Sequence, residues 1–372
     1  AGASQVVLPD TMKDYYGYNA DIWIQNAGTT PVDVEMTFYA SGAAVYTHVD
    51  SGIEPGRSRL YRTADMSGLP SAFYGWVLVT ASGPVTAASM RQDSVYFNTM
   101  ASRGTALSQA DITLVSPRQQ KDVSFTTVLN LAPNVAELLA SWYTTMGILA
   151  WSEPVSVAPL TTHSFNTSGL FAGFDGSLSL QSDQLVVGLV NWSGTTVGAA
   201  GIASSPAVGL GGLTTVSYQP RVVHSEMLGK NTVLSVLNPG SAPAEVTFTY
   251  HTPGGTETAV FHIILETNGV RRFSTADVPG LGNEWVGSAT VSSTQPVAVE
   301  VMQFLHKLVV DNTADSGNGT LREALSVAEN GDTIIFDPEV FPVGSPASIA
   351  LTSGPLPDIS QGNLTVDAST SG

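Results

Sequence analysis

The chain contains no cysteine, which excludes disulfides, thiolate metal sites and cysteine nucleophiles. Charge is scarce as well. Only 12% of its 372 residues are Asp, Glu, Lys or Arg, against roughly 25% in ordinary soluble globular proteins. Positive charge is the scarcest: 14 Lys and Arg stand against 31 Asp and Glu, a formal net charge of −17, and no basic run occurs. Duplex nucleic acid and anionic membrane surfaces are therefore excluded as partners, because both need clustered cations. No apolar run reaches the ~18 residues of a membrane-spanning helix. The catalytic signatures are missing too, with neither a His-Glu-x-x-His zinc pattern nor a Gly-x-Ser-x-Gly nucleophile elbow. Gly317-Asn318-Gly319 lacks the preceding strand and third glycine of a dinucleotide cradle. The expectation is a chain with no catalytic residues and no cofactor.

What is present is a repeat. Ile22-Trp23-Ile24-Gln25-Asn26-Ala27-Gly28, Thr127-Val128-Leu129-Asn130-Leu131-Ala132-Pro133 and Val233-Leu234-Ser235-Val236-Leu237-Asn238-Pro239-Gly240 each carry an apolar strand into an Asn and then a Gly or Pro turn. A second strand follows at a matching distance: Val32 to Tyr39, Leu138 to Tyr143, and Ala244 to Tyr250, each closing on aromatic residues. Asn26, Asn130 and Asn238 lie 104 and 108 residues apart, while Tyr39, Tyr143 and Tyr250 lie 104 and 107 apart. Gly75, Gly176 and Gly287 open a third matching strand in each copy, followed by a short polar turn and a fourth: Val85 to Met90, Leu185 to Val190, and Val297 to Met302. Each copy begins with an apolar run and a Pro, namely Val6-Val7-Leu8-Pro9, Leu114-Val115-Ser116-Pro117 and Val216-Ser217-Tyr218-Gln219-Pro220.

Each copy is about 100 residues of short alternating strands, the spacing of an antiparallel two-sheet sandwich. In Val32 to Phe38 the alternation places Val32, Val34, Met36 and Phe38 inside and Asp33, Glu35 and Thr37 outside. Between copies, 99–109 is small and polar, and 198–212 is Gly- and Ala-rich, suited to a flexible link or an extended strap. The copies are similar to the Ig-like repeats of bacterial envelope proteins.

The pattern changes at Leu308. Thr320-Leu321-Arg322-Glu323 is a capping box, Leu321, Ala324, Leu325 and Ala328 give the helix one apolar face, and Asn330-Gly331 is its stop. Strand Thr333-Ile334-Ile335-Phe336 follows, and after it only two further strands are expected, Ala347 to Thr352 and Leu364 to Ala368. Residues Asp311 to Ala324 together with Gly331 to Phe336 resemble the N-terminal cap of secreted parallel β-helix proteins, in which a short helix precedes three-strand rungs. A single rung cannot bury its own interior and presents unpaired backbone. Either more chain or another subunit is expected to cover this end.

The fold class expected is all-β: three tandem antiparallel β-sandwich domains at 1–105, 106–212 and 213–307, then a partial parallel β-helix at 308–372 with a cap helix at about 320–330. Ala1-Gly2-Ala3-Ser4 has the small residues left by signal peptidase, which points to an extracellular or cell-surface location. The function expected is a structural subunit of an extracellular bacterial filament or surface layer. Its partners are copies of itself, joined by strand contacts through Gln5, Val6, Val7 and Leu8 and through Leu364, Thr365 and Val366. Two alternatives stay open: an adhesin or glycan-binding stalk, and the N-terminal part of a larger β-helix surface protein. Tyr15, Tyr16 and Tyr18, with Trp151, Trp192 and Trp285, are the candidate sugar-facing aromatics, although alternating Tyr also serves cross-strand packing. Asn166, Asn191, Asn318 and Asn363 begin glycosylation sequons. Asp311, Asp315, Asp332 and Asp337 are the only Ca²⁺ candidates; their spacing fits no EF-hand, they read equally as turn formers, and no metal is expected.

Overall fold

A computed structural model describes residues 2–93, 99–103, 105–106, 112–121, 124–165, 167–193, 202–224, 230–282, 285–305, 307–317, 319–328, 333–337, 340–342, 344–345, 347–359 and 364–368. The protein is nearly all β, with one α-helix among these residues.

The first unit contains β1 (Ala3–Lys13), β2 (Tyr18–Asn26), β3 (Val32–Ala40), β4 (Ala43–Ile53), β5 (Ser58–Arg62), β6 (Phe73–Asp93), β7 (Thr99–Arg103) and β8 (Thr105–Ala106). The first half of β6 pairs with β1 and β3, and β4 pairs with β3, forming the front sheet. The second half of β6 pairs with β2 and β7, and β5 pairs with β2, forming the back sheet. One 21-residue strand thus crosses from sheet to sheet. The two strands and intervening turn expected there are one element, bent through Ser82-Gly83-Pro84 where a strand turns the corner of a sandwich. Between the sheets lie Leu8, Ile22, Ile24, Val32, Val34, Met36, Phe38 and Val79, all buried. The predicted alternation in β3 is observed, with Asp33 and Glu35 exposed.

The second unit repeats this plan with β9 (Thr113–Gln120), β10 (Ser124–Asn130), β11 (Ala136–Thr144), β12 (Leu149–Val157), β13 (Thr162–Ser164), β14 (Asp175–Ser182), β15 (Val186–Ser193), β16 (Ile202–Pro206) and β17 (Val208–Gly209). Its front sheet runs β12-β11-β14-β9-β17 and its back sheet β13-β10-β15-β16. Here the long strand is divided into β14 and β15. The Gly- and Ala-rich connection, where described, is an extended strap: β16 extends the back sheet and β17 the front.

The third unit contains β18 (Thr214–His224), β19 (Lys230–Leu237), β20 (Ala244–His251), β21 (Glu257–Leu265), β22 (Val270–Ser274) and β23 (Trp285–Leu305), the last again spanning both sheets. Each unit has its own buried cluster, centred on Phe38, Trp142 and Phe248 respectively.

Two residue positions explain why the plan recurs. Asn26, Asn130 and Asn238 are fully buried at the end of the first back-sheet strand. Each side-chain amide donates to a carbonyl four residues on (Thr30, Asn134, Ala242; 2.7, 2.7 and 2.8 Å) and to the end of the fourth strand or its equivalent (Ile53, Val157, Leu265; 2.8, 2.9 and 3.0 Å). Each Oδ1 accepts from the amide two residues on. One amide therefore satisfies a turn that has no ladder partner of its own. Gly75, Gly176 and Gly287 are fixed by close approach: a Cβ there would lie 1.9, 1.9 and 2.1 Å from the carbonyl oxygens of Tyr39, Tyr143 and His251.

The same register corrects the aromatic alignment. Tyr39 and Tyr143 pair with the residue after the repeat glycine, whereas Tyr250 pairs with the second residue after it. Tyr250 matches Phe38 and Trp142 in the core, and His251 matches Tyr39 and Tyr143. A one-residue offset moves a side chain to the opposite face of the sheet.

The final segment holds β24 (Lys307–Val310), α1 (Leu321–Val327), β25 (Thr333–Phe336) and β26 (Thr365–Asp367). The three strands form a parallel sheet in the order β24-β25-β26. Leu308, Val310, Ala324, Leu325, Ala328 and Ile334 are buried beneath the helix. Thr320 caps α1 by accepting from the Glu323 amide at 3.3 Å, and Glu323 accepts from the Gly319 amide at 3.1 Å. The stop at Asn330-Gly331 lies outside the described residues. The strand expected at 347–352 does not form. The Thr352 and Ser353 amides donate to Asp315 instead of a ladder.

Candidate assembly surface

The units are joined by one surface used twice. The outer face of the front sheet of one unit receives the outer face of the back sheet of the next. In the first joint Val7 and Trp76 bury Leu129, with Tyr39, Leu78, Leu131 and Leu160 around them. In the second, Val115 is buried with Leu237, Val270 and Ala298. Strand register makes these contacts equivalent. Val7 pairs with Leu78 and Val115 with Ser179, each partner three residues after the repeat glycine. Leu129 and Leu237 each directly precede the repeat Asn.

The polar contacts are equivalent as well. Trp76 Nε1 donates to the Leu160 carbonyl at 3.3 Å, and Ser177 Oγ donates to the Asn268 carbonyl at 3.2 Å. Trp76 and Ser177 each follow the repeat glycine. Leu160 and Asn268 both adopt left-handed backbone, with φ of 55° and 58°. That turn aims a carbonyl toward the preceding unit.

A charged or polar residue lies at the bulge of each leading strand, directly after its Pro: Asp10, Arg118 and Arg221. Asp10 is buried in the first joint and accepts from Asn191 Nδ2 at 2.9 Å. Arg118 is half-buried in the second joint, where Glu300 of the third unit attracts it. Burial lowers its guanidinium pKa to about 10 in spite of that attraction. Arg272 lies beside them and is lowered to about 9, first by burial and then by Arg118, with Glu300 opposing the shift. Arg272 also pairs with Asp175 and donates to the Gly176 carbonyl at 2.7 Å. The sequence reading missed these residues. Their one signal was a charge or its partner following Pro in an otherwise apolar leading run.

The predicted strand contacts fall out differently. Val6, Val7 and Leu8 are buried, and β1 is paired to β6 and, through Val6 and Val7, to β8. This strand is already occupied inside the molecule, and Gln5 alone of the four is exposed. Thr365 and Val366 are exposed on β26, whose described ladder partner is β25, and Leu364 is half-buried before it.

Among the Ca²⁺ candidates, Asp315 is taken by the fold. Its Oδ1 accepts from Arg322 Nη2 at 2.6 Å and its Oδ2 from the Thr352 amide at 2.8 Å. The Arg322 guanidinium, helped by the 352–353 contacts, holds its carboxyl far below the usual carboxylate range. Asp332 lies outside the described residues, and no group of three or more metal-ligating side chains forms among those described. Of the aromatics, Trp151 stacks on buried Trp142 with ring centroids 4.8 Å apart, and Trp285 meets Tyr250 edge-on. The Trp192 side chain lies outside the described residues. Tyr15 stacks on Tyr74 at 5.1 Å and carries the exposed Tyr16 at its edge.

Among the described residues, no helix is long and apolar enough to cross a membrane. No protein-family model matches the chain, and no curated protein does. Two solved structures are similar to parts of it. A Thermotoga maritima protein, 1070, is 19% identical over 28% of this chain and 96% of its own, with a TM-score of 0.26. The Anabaena sensory rhodopsin transducer is 14% identical over 24% of this chain and 95% of its own, with a TM-score of 0.21.

Proposed function

We propose that the chain is a structural subunit of an extracellular bacterial filament or surface layer, built to stack two-sheet units in line and to continue that stacking with copies of itself. The observation that carries this reading is the joint: the same two outer faces meet in the same register at both internal junctions. Each unit keeps its own core and adds a smaller apolar contact to its neighbour, so the end faces of the array are its points of growth. A charged-residue content of only 12% supports a location outside the cell. The parallel β24-β25-β26 sheet under α1 supports reading 308–372 as the opening of a parallel β-helix.

The test is direct. Purified chain is followed by light scattering across a concentration series and viewed by negative-stain electron microscopy. Growth into rods or sheets is expected; a strictly monomeric particle at every concentration refutes the reading. One observation favours a second reading, a glycan-binding stalk. Tyr16 is 84% exposed beside the Tyr15–Tyr74 stack, and both Asp14 and Tyr16 hold left-handed backbone at φ 49°. Such strain often marks a binding site. Retention on a glycan array that is lost in Tyr16→Ala would favour it.

A further inference from the structure

The open face of the third unit is the socket left over by the internal joints. Tyr218 pairs with Thr290, three residues after Gly287, and so occupies the position of Val7 and Val115. Val7 and Val115 are buried by the following unit, whereas Tyr218 is 74% exposed. Val216 shares its strand face, and Val260, 40% exposed, lies on the same cross-strand row beyond Thr290 and Thr249. Among the described residues, nothing covers Tyr218.

The matching plug is the outer back-sheet face of the first unit. Its Asn26 is preceded by Gln25 where the other units have Leu129 and Leu237, and Trp23 is exposed two residues earlier. Gly56 stands where Leu160 and Asn268 stand, with φ 72°, and its carbonyl accepts only a long 3.2 Å bond from Gln25 Nε2 at the surface. Ser288, the residue after Gly287, is placed as Trp76 and Ser177 are. The charges match too. Arg221 is the third bulge residue, after Asp10 and Arg118. Their partners come from the long back-sheet strand of the next unit, at Asn191 and Glu300. In the first unit Met90 holds the Asn191 position and Ala88 the Glu300 position, and Asp21, which lies 3.8 Å from Arg62, is the direct cross-strand neighbour of Met90 on the same face.

We propose that Tyr218, Val216 and Arg221 of one copy receive Trp23, Gln25 and Asp21 of a second copy, head to tail, reproducing the internal joint between molecules. This rests on the self-assembly reading above and supplies its interface. Such a contact is heterologous, so it grows an open chain and does not close a dimer. Gln25 in place of Leu makes it weaker than the internal joints, and two copies of charge −17 repel. Assembly is therefore expected to strengthen with added salt.

The test uses the full chain with Tyr218→Glu and Trp23→Glu, each checked for native circular dichroism, in sedimentation velocity at low and high salt. Wild type is expected to form a concentration-dependent ladder, and each variant alone to remain monomeric. The mixture is expected to stop at a 1:1 dimer, because each variant keeps one good face. The exchange pair Arg221→Glu with Asp21→Arg in one chain is expected to restore the ladder that either change alone removes. Variants that polymerise like wild type would overturn this interface while leaving self-assembly standing. A monomeric mixture under conditions where wild type polymerises would also overturn it. A monomeric wild type would overturn both.

Discussion

Replacing Asn130 by Ala removes the most informative single side chain in the second unit. The amide donates to the Asn134 and Val157 carbonyls at 2.7 and 2.9 Å and accepts from the Ala132 amide at 2.9 Å, in a fully buried position. Alanine leaves those three backbone groups without their partners. A buried group left unmade costs about 1–3 kcal/mol. Asn134 lies at the turn, where water can replace part of the loss, so the total is about 3–5 kcal/mol. That is a large share of the roughly 5–15 kcal/mol that holds a domain folded. Asn130→Asp is the sharper variant. It keeps the acceptor for Ala132 but turns an oxygen toward two carbonyl oxygens, so the carboxyl is stable there only when protonated. Its folded-state pKa is raised, and the variant gains stability as pH falls toward the ordinary carboxylate range and loses it as pH rises. The assay is amide hydrogen exchange with mass spectrometry, because three units make a single unfolding midpoint ill-defined. Protection is expected to fall across 124–165 and to persist in the first unit's core. The exposed-strand control Ser152→Ala is expected to change stability by less than about 0.5 kcal/mol. An Asn130→Ala shift under about 1 kcal/mol, or an Asn130→Asp variant equally stable at pH 4 and pH 7, would refute the account of this residue.

Gly176→Ala drives a Cβ to 1.9 Å from the Tyr143 carbonyl, so a loss at the upper end of the 1–3 kcal/mol typical of overpacking is expected by denaturant titration of the second unit. Glu300→Leu leaves Arg118 and Arg272 half-buried side by side and is expected to cost about 3–5 kcal/mol. Adding Arg118→Leu should recover part of that in a double-mutant cycle, and a strictly additive result would show that the two do not interact. Asp315 has a depressed folded-state pKa, so its contribution is present above the ordinary carboxylate range and is lost only as pH falls well below it. Hydrogen exchange in α1 should therefore stay slow at pH 5, quicken only in stronger acid, and be fast at all pH values in Asp315→Asn.

Much of the fold was legible because two residue types mark it for physical reasons. Asn26, Asn130 and Asn238 are irreplaceable donors at an unpaired turn, and Gly75, Gly176 and Gly287 sit where no Cβ fits. Such positions recur in the sequence without any alignment. Aromatic residues misled for the converse reason. Phe, Trp and Tyr exchange freely in a core, so the Tyr at 250 could be matched to Tyr39 only by ignoring the difference between spacings of 107 and 108. The joints were half-legible. The apolar leading runs were visible, yet Val6, Val7 and Leu8 read as a strand seeking another molecule. Backbone pairing to β8 and burial under Leu129 depend on chain segments about 100 residues apart or on a linker of featureless composition. The strand expected at 347–352 is interrupted at its end for a local reason that composition hides: a single buried carboxylate, Asp315, captures the Thr352 and Ser353 amides.

The bulge residues explain why the units keep their order although their faces share one geometry. Asp10 needs a donor and receives Asn191; Arg118 needs an anion and receives Glu300. Were the third unit to dock on the first, Met302 would stand in the Asn191 position and leave the buried Asp10 carboxylate without its donor, with Glu300 two residues away on the same strand face. Were a second copy's middle unit to dock on Arg118, it would offer Leu189 in the Glu300 position and leave the guanidinium without its charge partner. Either mismatch costs several kcal/mol, since a buried charge without its counter-charge is the expensive case. The apolar contacts of Val7, Val115, Leu129 and Leu237 would tolerate those exchanges. Hydrophobic burial thus holds the array together, and the polarity of one residue per joint decides which unit may follow which. Arg221 holds the third bulge on the open face, where a second copy's first unit would bring Asp21, a carboxylate that lies 3.8 Å from its own Arg62.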